Sequence, residues 1–286
     1  MRVLLAVLLI LMFAAANADN HIDTLKRVSE TGEFRIGYVP DAPPLSFQDG
    51  NGNVVGYSID LCRHIASTIR NELGLEKIDI VFTPLLSMEE RLSAVENGDV
   101  DIECGATTVT LSRRERVDFT LMTFITGSAV LSRKTSPINN IDDIAGGKIA
   151  VLSGTTTEDV MRRAMEVNEF EVELVLIGSH DEGMDLLNSR KVDGYASDRS
   201  MLIGQVFRNQ NAKNQYALTR TAFSFEPYAM MLPRGDTEFR LVADKALASL
   251  FRTVRIRRVY HNWFGRYGEP LSSIVEAMYQ FQAVGE

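Results

Sequence analysis

The chain has 286 residues, 45% hydrophobic and 24% charged, with a formal net charge of −8. That length suits one or two globular domains, and acidity without acidic clusters argues for solubility and against a nucleic-acid partner. Four scattered histidines and two cysteines form no metal-ligand spacing, and no apolar run reaches the ~20 residues needed to cross a bilayer.

Arg2, the apolar run Val3–Phe13 and the small residues Ala16-Asn17-Ala18 read as a secretory signal over residues 1–18. Its removal takes Arg2 away and moves the net charge from −8 to −9. No cysteine lies near the cleavage point, so no lipid anchor is expected, and the mature protein is expected to be exported, to the periplasm in a host with two membranes. Ile22, Leu25 and Val28 share one helical face that ends at Thr31-Gly32. Phe34–Val39 reads as the first strand, and the prolines from Pro40 to Pro44 cannot continue its ladder because they lack the N–H. Asp49-Gly50-Asn51-Gly52 is a hairpin turn. Ser58 reads as the N-cap of a helix whose Ile59, Cys62, Ile65, Ala66 and Ile69 recur at core spacing. Ile78–Phe82 is the next strand. Ser87 with Glu90 forms a capping box before Leu92 and Val95, and Arg91 on that helix reads by itself as a surface residue.

The richest stretch is Gly98–Thr120, GDVDIECGATTVTLSRRERVDFT. Val100, Ile102 and Cys104 alternate as a short strand stopping at Gly105, and a loop with Thr107, Thr108, Thr110, Ser112 and Arg113 follows. Open α/β sheets bind ligands beyond the carboxyl ends of their strands, and a guanidinium fork grips both oxygens of a carboxylate. The loop therefore suits a bound carboxylate; a solvated loop with Arg113 paired to Glu115 or Asp118 is the alternative.

Leu121–Ile125 should cross to a second lobe, where Ser128–Leu131 and Lys148–Leu152 read as strands separated by a short helix, Ile141–Ile144, which Gly146-Gly147 stops. Ser153-Gly154-Thr155-Thr156-Thr157-Glu158 opens a helix whose unpaired N–H groups favour a carboxylate, and Thr155 with Glu158 is equally a capping pair. Val172–Ile177 is a strand, Ser179 with Glu182 caps the next helix, and Val192–Ser197 is a strand ending at Asp198, which also reads as an N-cap for Ser200–Phe207. The chain returns through Phe223–Pro227 to a strand at Tyr228–Leu232. Asp236 caps a helix carrying Phe239, Val242, Ala246 and Leu250, and the next helix ends in Trp263-Phe264-Gly265, with Trp263 in the core. Beyond it Leu271, Ile274, Val275, Met278 and Phe281 form an amphipathic pattern with no assigned role.

Three of these motifs, ECGATT, then four residues, then Arg113; VVGYSIDL at Val54–Leu61; and Trp263-Phe264-Gly265, resemble the family 3 periplasmic solute-binding proteins of polar amino acid ABC transporters. The glutamate/aspartate-binding branch is the most similar, and the resemblance spans Phe34–Gly265. It implies an α/β, two-lobed, type II periplasmic-binding-protein fold with two hinge strands. The implied division is 19–122 and 227–265 for lobe one, 123–226 for lobe two and 266–286 for a C-terminal extension.

The resemblance also implies a monomer without cofactor or metal that captures an amino acid and passes it to an ABC permease. Arg113, Thr108, and the backbone around Gly105 and Thr107 would take the α-carboxylate; Thr155 and Thr156 would meet the ligand from lobe two; Asp198 would receive the ammonium. Arg91 falls where the family carries an arginine. Val39 stands where the branch carries an arginine for the side-chain carboxylate, and Ala106 stands in place of a serine, which separates this chain from the pattern. Glutamate or aspartate is the expected ligand, with a neutral amino acid next. The cysteine of ECG would pair with one near Met230, which is absent, so Cys62 and Cys104 are expected as two free, buried thiols, although an oxidising compartment would allow them to pair. The same scaffold resembles periplasmic cyclohexadienyl dehydratases, for which Glu103, Glu182 or Glu226 would be the candidate general acid.

Overall fold

The computed structural model describes residues 22–169, 171–208 and 214–285; the signal read at 1–18 lies outside them. The chain runs α1 (Thr24–Thr31), β1 (Glu33–Tyr38), β2 (Asp41–Ala42), β3 (Ser46–Gln48), β4 (Val54–Val55), α2 (Tyr57–Glu72), β5 (Asp79–Pro84), α3 (Met88–Glu96), β6 (Ile102–Glu103), α4 (Leu111–Arg114), β7 (Val117–Phe119) and β8 (Phe124–Thr126). It continues with β9 (Ser128–Arg133), β10 (Lys148–Leu152), α5 (Thr156–Asn168), β11 (Glu173–Ile177), α6 (His180–Asn188), β12 (Gly194–Asp198), α7 (Arg199–Arg208), β13 (Tyr216–Leu218) and β14 (Glu226–Tyr228). It closes with β15 (Met231–Pro233), α8 (Thr237–Phe251), α9 (Val254–Trp263) and α10 (Ser273–Gln282).

Two five-stranded sheets, ordered β5-β1-β6-β15-β7 and β11-β10-β12-β9-β13, form the lobes. β1 runs parallel to β5 and β6, and β10 parallel to β11 and β12, whereas β15 and β9 run antiparallel to their neighbours. Buried strands alternate between two apolar layers, as expected of a sheet covered on both faces: Ala129 and Leu131 of β9 join one cluster and Val130 another. The chain crosses between sheets at β8 and β14, which pair antiparallel from Glu226↔Thr126 to Tyr228↔Phe124.

Local signals set most helix starts. Ser87 and Glu90 form the predicted capping box, and Thr155, Ser179 and Asp236 accept the N–H three residues on. Ser58 does not cap α2. Gly56 does, with φ +142°, and any Cβ there would lie 2.1 Å from the Leu45 carbonyl oxygen. The Ser58 hydroxyl donates instead to the Gly105 carbonyl at 2.7 Å. The expected strand Tyr228–Leu232 is divided between β14 and β15.

Two further expectations are corrected. Cys62 and Cys104 are not free thiols: they form a disulfide with Cα atoms 6.4 Å apart. The helical phase that puts Cys62 on the core face of α2 aims it at the residue just past β6. The tail folds as α10 against lobe one, burying Val275, Met278 and Tyr279, while Ile274 and Phe281 of the expected apolar face are exposed. Trp263 is half-buried, edge-on to Phe47, and its Nε1–H donates to Asp60 at 2.7 Å.

Candidate functional site

The carboxyl ends of the parallel strands of both sheets meet across one cleft, where such sheets place ligands. The cleft encloses about 100 Å³. Of the nine residues expected at the site, Val39, Arg91, Thr108, Arg113, Thr155, Thr156 and Asp198 line it. Gly105 and Thr107 stand behind the wall.

On lobe one an arginine–glutamate pair packs behind Gly105. Arg91 Nε donates to Glu103 Oε1 at 2.9 Å, its Nη2 donates to Thr107 Oγ1, and the Thr107 hydroxyl donates to Glu103 Oε2 at 2.8 Å. A Cβ at Gly105 would sit 2.1 Å from Glu103 Oε1, so only glycine leaves this buried pair its room. Arg91 is therefore not the surface residue its helix position suggests; it is buried at 6% exposure with its charge shared. Arg113, on α4 behind the Thr110 cap, donates from Nη1 to the Thr108 carbonyl at 2.8 Å. Burial, with Arg91 nearby, lowers its pKa to about 10, and Glu226 opposes the shift. The guanidinium thus stays cationic at neutral pH.

On lobe two, Thr155 caps α5, with its hydroxyl donating to the Leu152 carbonyl at 2.7 Å, and Glu158 accepts the Gly154 N–H at 2.9 Å. Thr156 faces the cleft and donates to Glu226 Oε2 at 2.7 Å, which also accepts the Thr108 hydroxyl at 2.7 Å. One carboxylate on the crossing strand β14 thereby holds hydroxyls of both lobes. Asp198 ends β12 and accepts from the Tyr228 hydroxyl and, at 3.4 Å, from Thr157. Burial, reinforced by the charge of Glu226, pushes its pKa up to about 7.

Residues 34–266 match the family described as bacterial extracellular solute-binding proteins, family 3. This chain is a member of that family. A relative from Pseudomonas aeruginosa, the L-glutamate/L-aspartate-binding protein, is 30% identical over 260 residues, covering 91% of this chain and 85% of that one. A solved ancestral arginine-binding protein bound to arginine superposes with TM-score 0.73 at 27% identity, over 82% of this chain and 99% of that one. An ancestral amino acid-binding protein described as a precursor of cyclohexadienyl dehydratase gives TM-score 0.72 at 24% identity, covering 84% and 99%, a likeness of fold.

In this solute-binding protein, none of the three candidate general acids lines the cavity. Glu103 is paired with Arg91, Glu182 accepts the Gly178 N–H at 2.8 Å on the outer side of α6, and Glu226 is held by hydroxyls. The family is one of binding proteins, not enzymes. Among the described residues, no group of three His, Cys, Asp or Glu side chains is placed to hold a metal ion.

His180 and Asp41 also line the cleft and are not among the nine, although the resemblance puts its first ligand contacts in the Pro40–Pro44 loop that carries Asp41. His180, the first residue of α6, is buried, with Nδ1 bonded to the Tyr195 hydroxyl. Burial holds its pKa below the usual value, against the charge of Asp41. Asp41, in the proline-rich loop of lobe one, accepts the His180 backbone N–H at 2.7 Å, and its own carbonyl accepts from Gln205 Nε2 at 2.7 Å. The Pro40–Pro44 segment was the available signal for Asp41, as a loop that cannot extend a ladder at the end of β1. His180 offered none beyond its place after the Ser179 cap.

Proposed function

We propose that this family 3 protein is a periplasmic receptor that captures one free amino acid between its lobes and delivers it, as a monomer, to an ABC permease. The signal at residues 1–18 and the lobe boundaries near β8 and β14 belong to this reading, and the Cys62–Cys104 disulfide fits an oxidising compartment. The observation that carries it is that one buried guanidinium, Arg113, and one partly buried carboxylate, Asp198, from different lobes line the same cleft. An amino acid zwitterion bears the two complementary charges. Arg113, with the Thr108 hydroxyl, takes the α-carboxylate as a charge-assisted fork; Asp198 takes the ammonium; Thr155 and Thr156 close from lobe two. Burying both ionic groups of the ligand requires both partners, so neither lobe alone suffices.

Glutamate or aspartate is the proposed ligand. The named relative supports it, and Arg91 and His180 are among the lining groups able to hydrogen-bond a side-chain carboxylate. Val39 contributes only apolar surface where the branch pattern has an arginine, so a neutral polar amino acid is the nearest competitor. Isothermal titration of the leader-free protein against the twenty amino acids tests the reading. Binding confined to one group, abolished by Arg113→Ala, is expected. Wild-type protein binding none of them would sink it.

A further inference from the structure

Helix α10 lies beyond the span matched by the family, 34–266, and is fastened to the hinge. Gln282 Oε1 accepts the Met122 N–H at 2.7 Å, and Gln282 Nε2 donates to the Met122 carbonyl at 2.7 Å. The side-chain amide thus satisfies both backbone groups of one residue, as a neighbouring strand would. One residue on, the Tyr57 hydroxyl donates to the Thr123 carbonyl at 2.7 Å. That uses its single proton, so the Tyr279 hydroxyl, 2.7 Å away, is the donor to Tyr57. Thr123 N–H meanwhile donates to the Tyr228 carbonyl at 2.7 Å, on the returning chain. A two-stranded ribbon leaves the outer edge of each strand unpaired, and here α10 fills that edge on the crossing chain just before β8.

We propose that α10 is a hinge brace. Gln282 and Tyr279 are positioning residues: they pin Met122 and Thr123 to lobe one, confine the pivot to the residues after Thr123, and so set how far the lobes open. Hinges work by concentrating a backbone change in a few residues. Unpinning Met122 lengthens the free segment, and the added chain entropy favours the open arrangement, which constrains the segment least. A ligand enclosed by closure is then released faster. This last consequence rests on reading the cleft as an amino-acid site; the pivot itself does not.

The test uses the full chain with spin labels at Ser112→Cys and Arg163→Cys, exposed positions on the two lobes. Pulsed dipolar spectroscopy reads the interlobe distance distribution for wild type, Gln282→Ala, Gln282→Glu and Tyr279→Phe. Gln282→Glu keeps an acceptor for the Met122 N–H but sets a carboxylate against its carbonyl. A longer and broader distribution in the Gln282 variants is expected, whether or not the melting temperature falls as the Met122 backbone groups lose their partner. With it should come a roughly threefold to thirtyfold rise in Kd, carried by the dissociation rate. Distributions identical to wild type, with or without a lowered melting temperature, would reduce α10 to a cover over the core and overturn the proposal. Should wild type bind no amino acid, the distance distributions still decide the brace, and the failure falls on the assigned ligand class.

Discussion

Asp41 and His180 join the lobes across the cleft: the Asp41 carboxylate accepts the His180 backbone N–H at 2.7 Å and that of Asp181 at 3.4 Å. These are unpaired donors of the first turn of α6, and an anion is favoured there by the helix dipole as well as by the hydrogen bonds. The contact links two lobes, so separating them would break it. Asp41→Ala should therefore weaken ligand binding by roughly twofold to thirtyfold, the value of a lost cap of about 0.5–2 kcal/mol. Titration calorimetry reads the loss, and thermal unfolding without ligand should change little.

Glu226 serves three hydroxyls, those of Thr108 and Thr156 at 2.7 Å and that of Ser224 at 2.6 Å. Glutamine in its place has one acceptor oxygen and turns N–H donors towards at least one hydroxyl that has donated to it. Leaving a buried polar group unmatched costs about 1–3 kcal/mol. Glu226→Gln should lower unfolding stability by that order in denaturant titration and weaken ligand binding in parallel.

Ligand binding should be proton-linked through Asp198. Its pKa is pushed up from 3.8 to about 7, so between those values the folded protein holds a proton that the unfolded chain does not, and this group's ionisation costs stability as pH rises through about 7. A bound ammonium favours the ionised carboxylate. Affinity should accordingly fall as pH drops below 7, by up to about a hundredfold at pH 5, if only the carboxylate form binds. Asp198→Asn should flatten the profile, and Glu226→Gln should shift it to lower pH, since the Glu226 charge is one cause of the raised value.

The disulfide closes a loop with a sequence separation of 42. Chain-entropy bookkeeping gives a loop of that size about 4 kcal/mol at most, and the usual range is about 2–4. Cys62→Ser combined with Cys104→Ser should lower the unfolding free energy by that order and leave the ligand Kd near wild type, because neither cysteine lines the cavity.

What the sequence made legible was local. The capping pairs Ser87/Glu90, Thr155/Glu158 and Ser179/Glu182 act three residues apart, so their signal is complete in the string of residues. Arg113 stands out because it follows a short strand, the position at which these sheets hold ligands, and Asp198 through the family resemblance; both line the cleft. Asp41 and Glu226 were missed in their observed roles because their partners lie 139 and 118 residues away, and no periodicity encodes such contacts. Gly105 reads as a ligand contact, and nothing in the sequence shows the Glu103–Arg91 pair behind it, which leaves no room for a Cβ. The free-thiol expectation failed because it transferred a partner position from relatives, whereas the core-facing phase of Cys62 was already visible in its own helix.

The central claim is that one zwitterion spans Arg113 and Asp198. The most direct measurement is calorimetric titration of the leader-free protein with glutamate, with glutarate, which lacks the ammonium, and with γ-aminobutyrate, which lacks the α-carboxylate. Each missing ionic contact should cost about 2–5 kcal/mol, because its protein partner is left buried and unpaired. The account predicts that glutamate, or whichever amino acid the panel selects, binds at least roughly thirtyfold more tightly than analogues stripped of either charge. Equal binding of either analogue would contradict it.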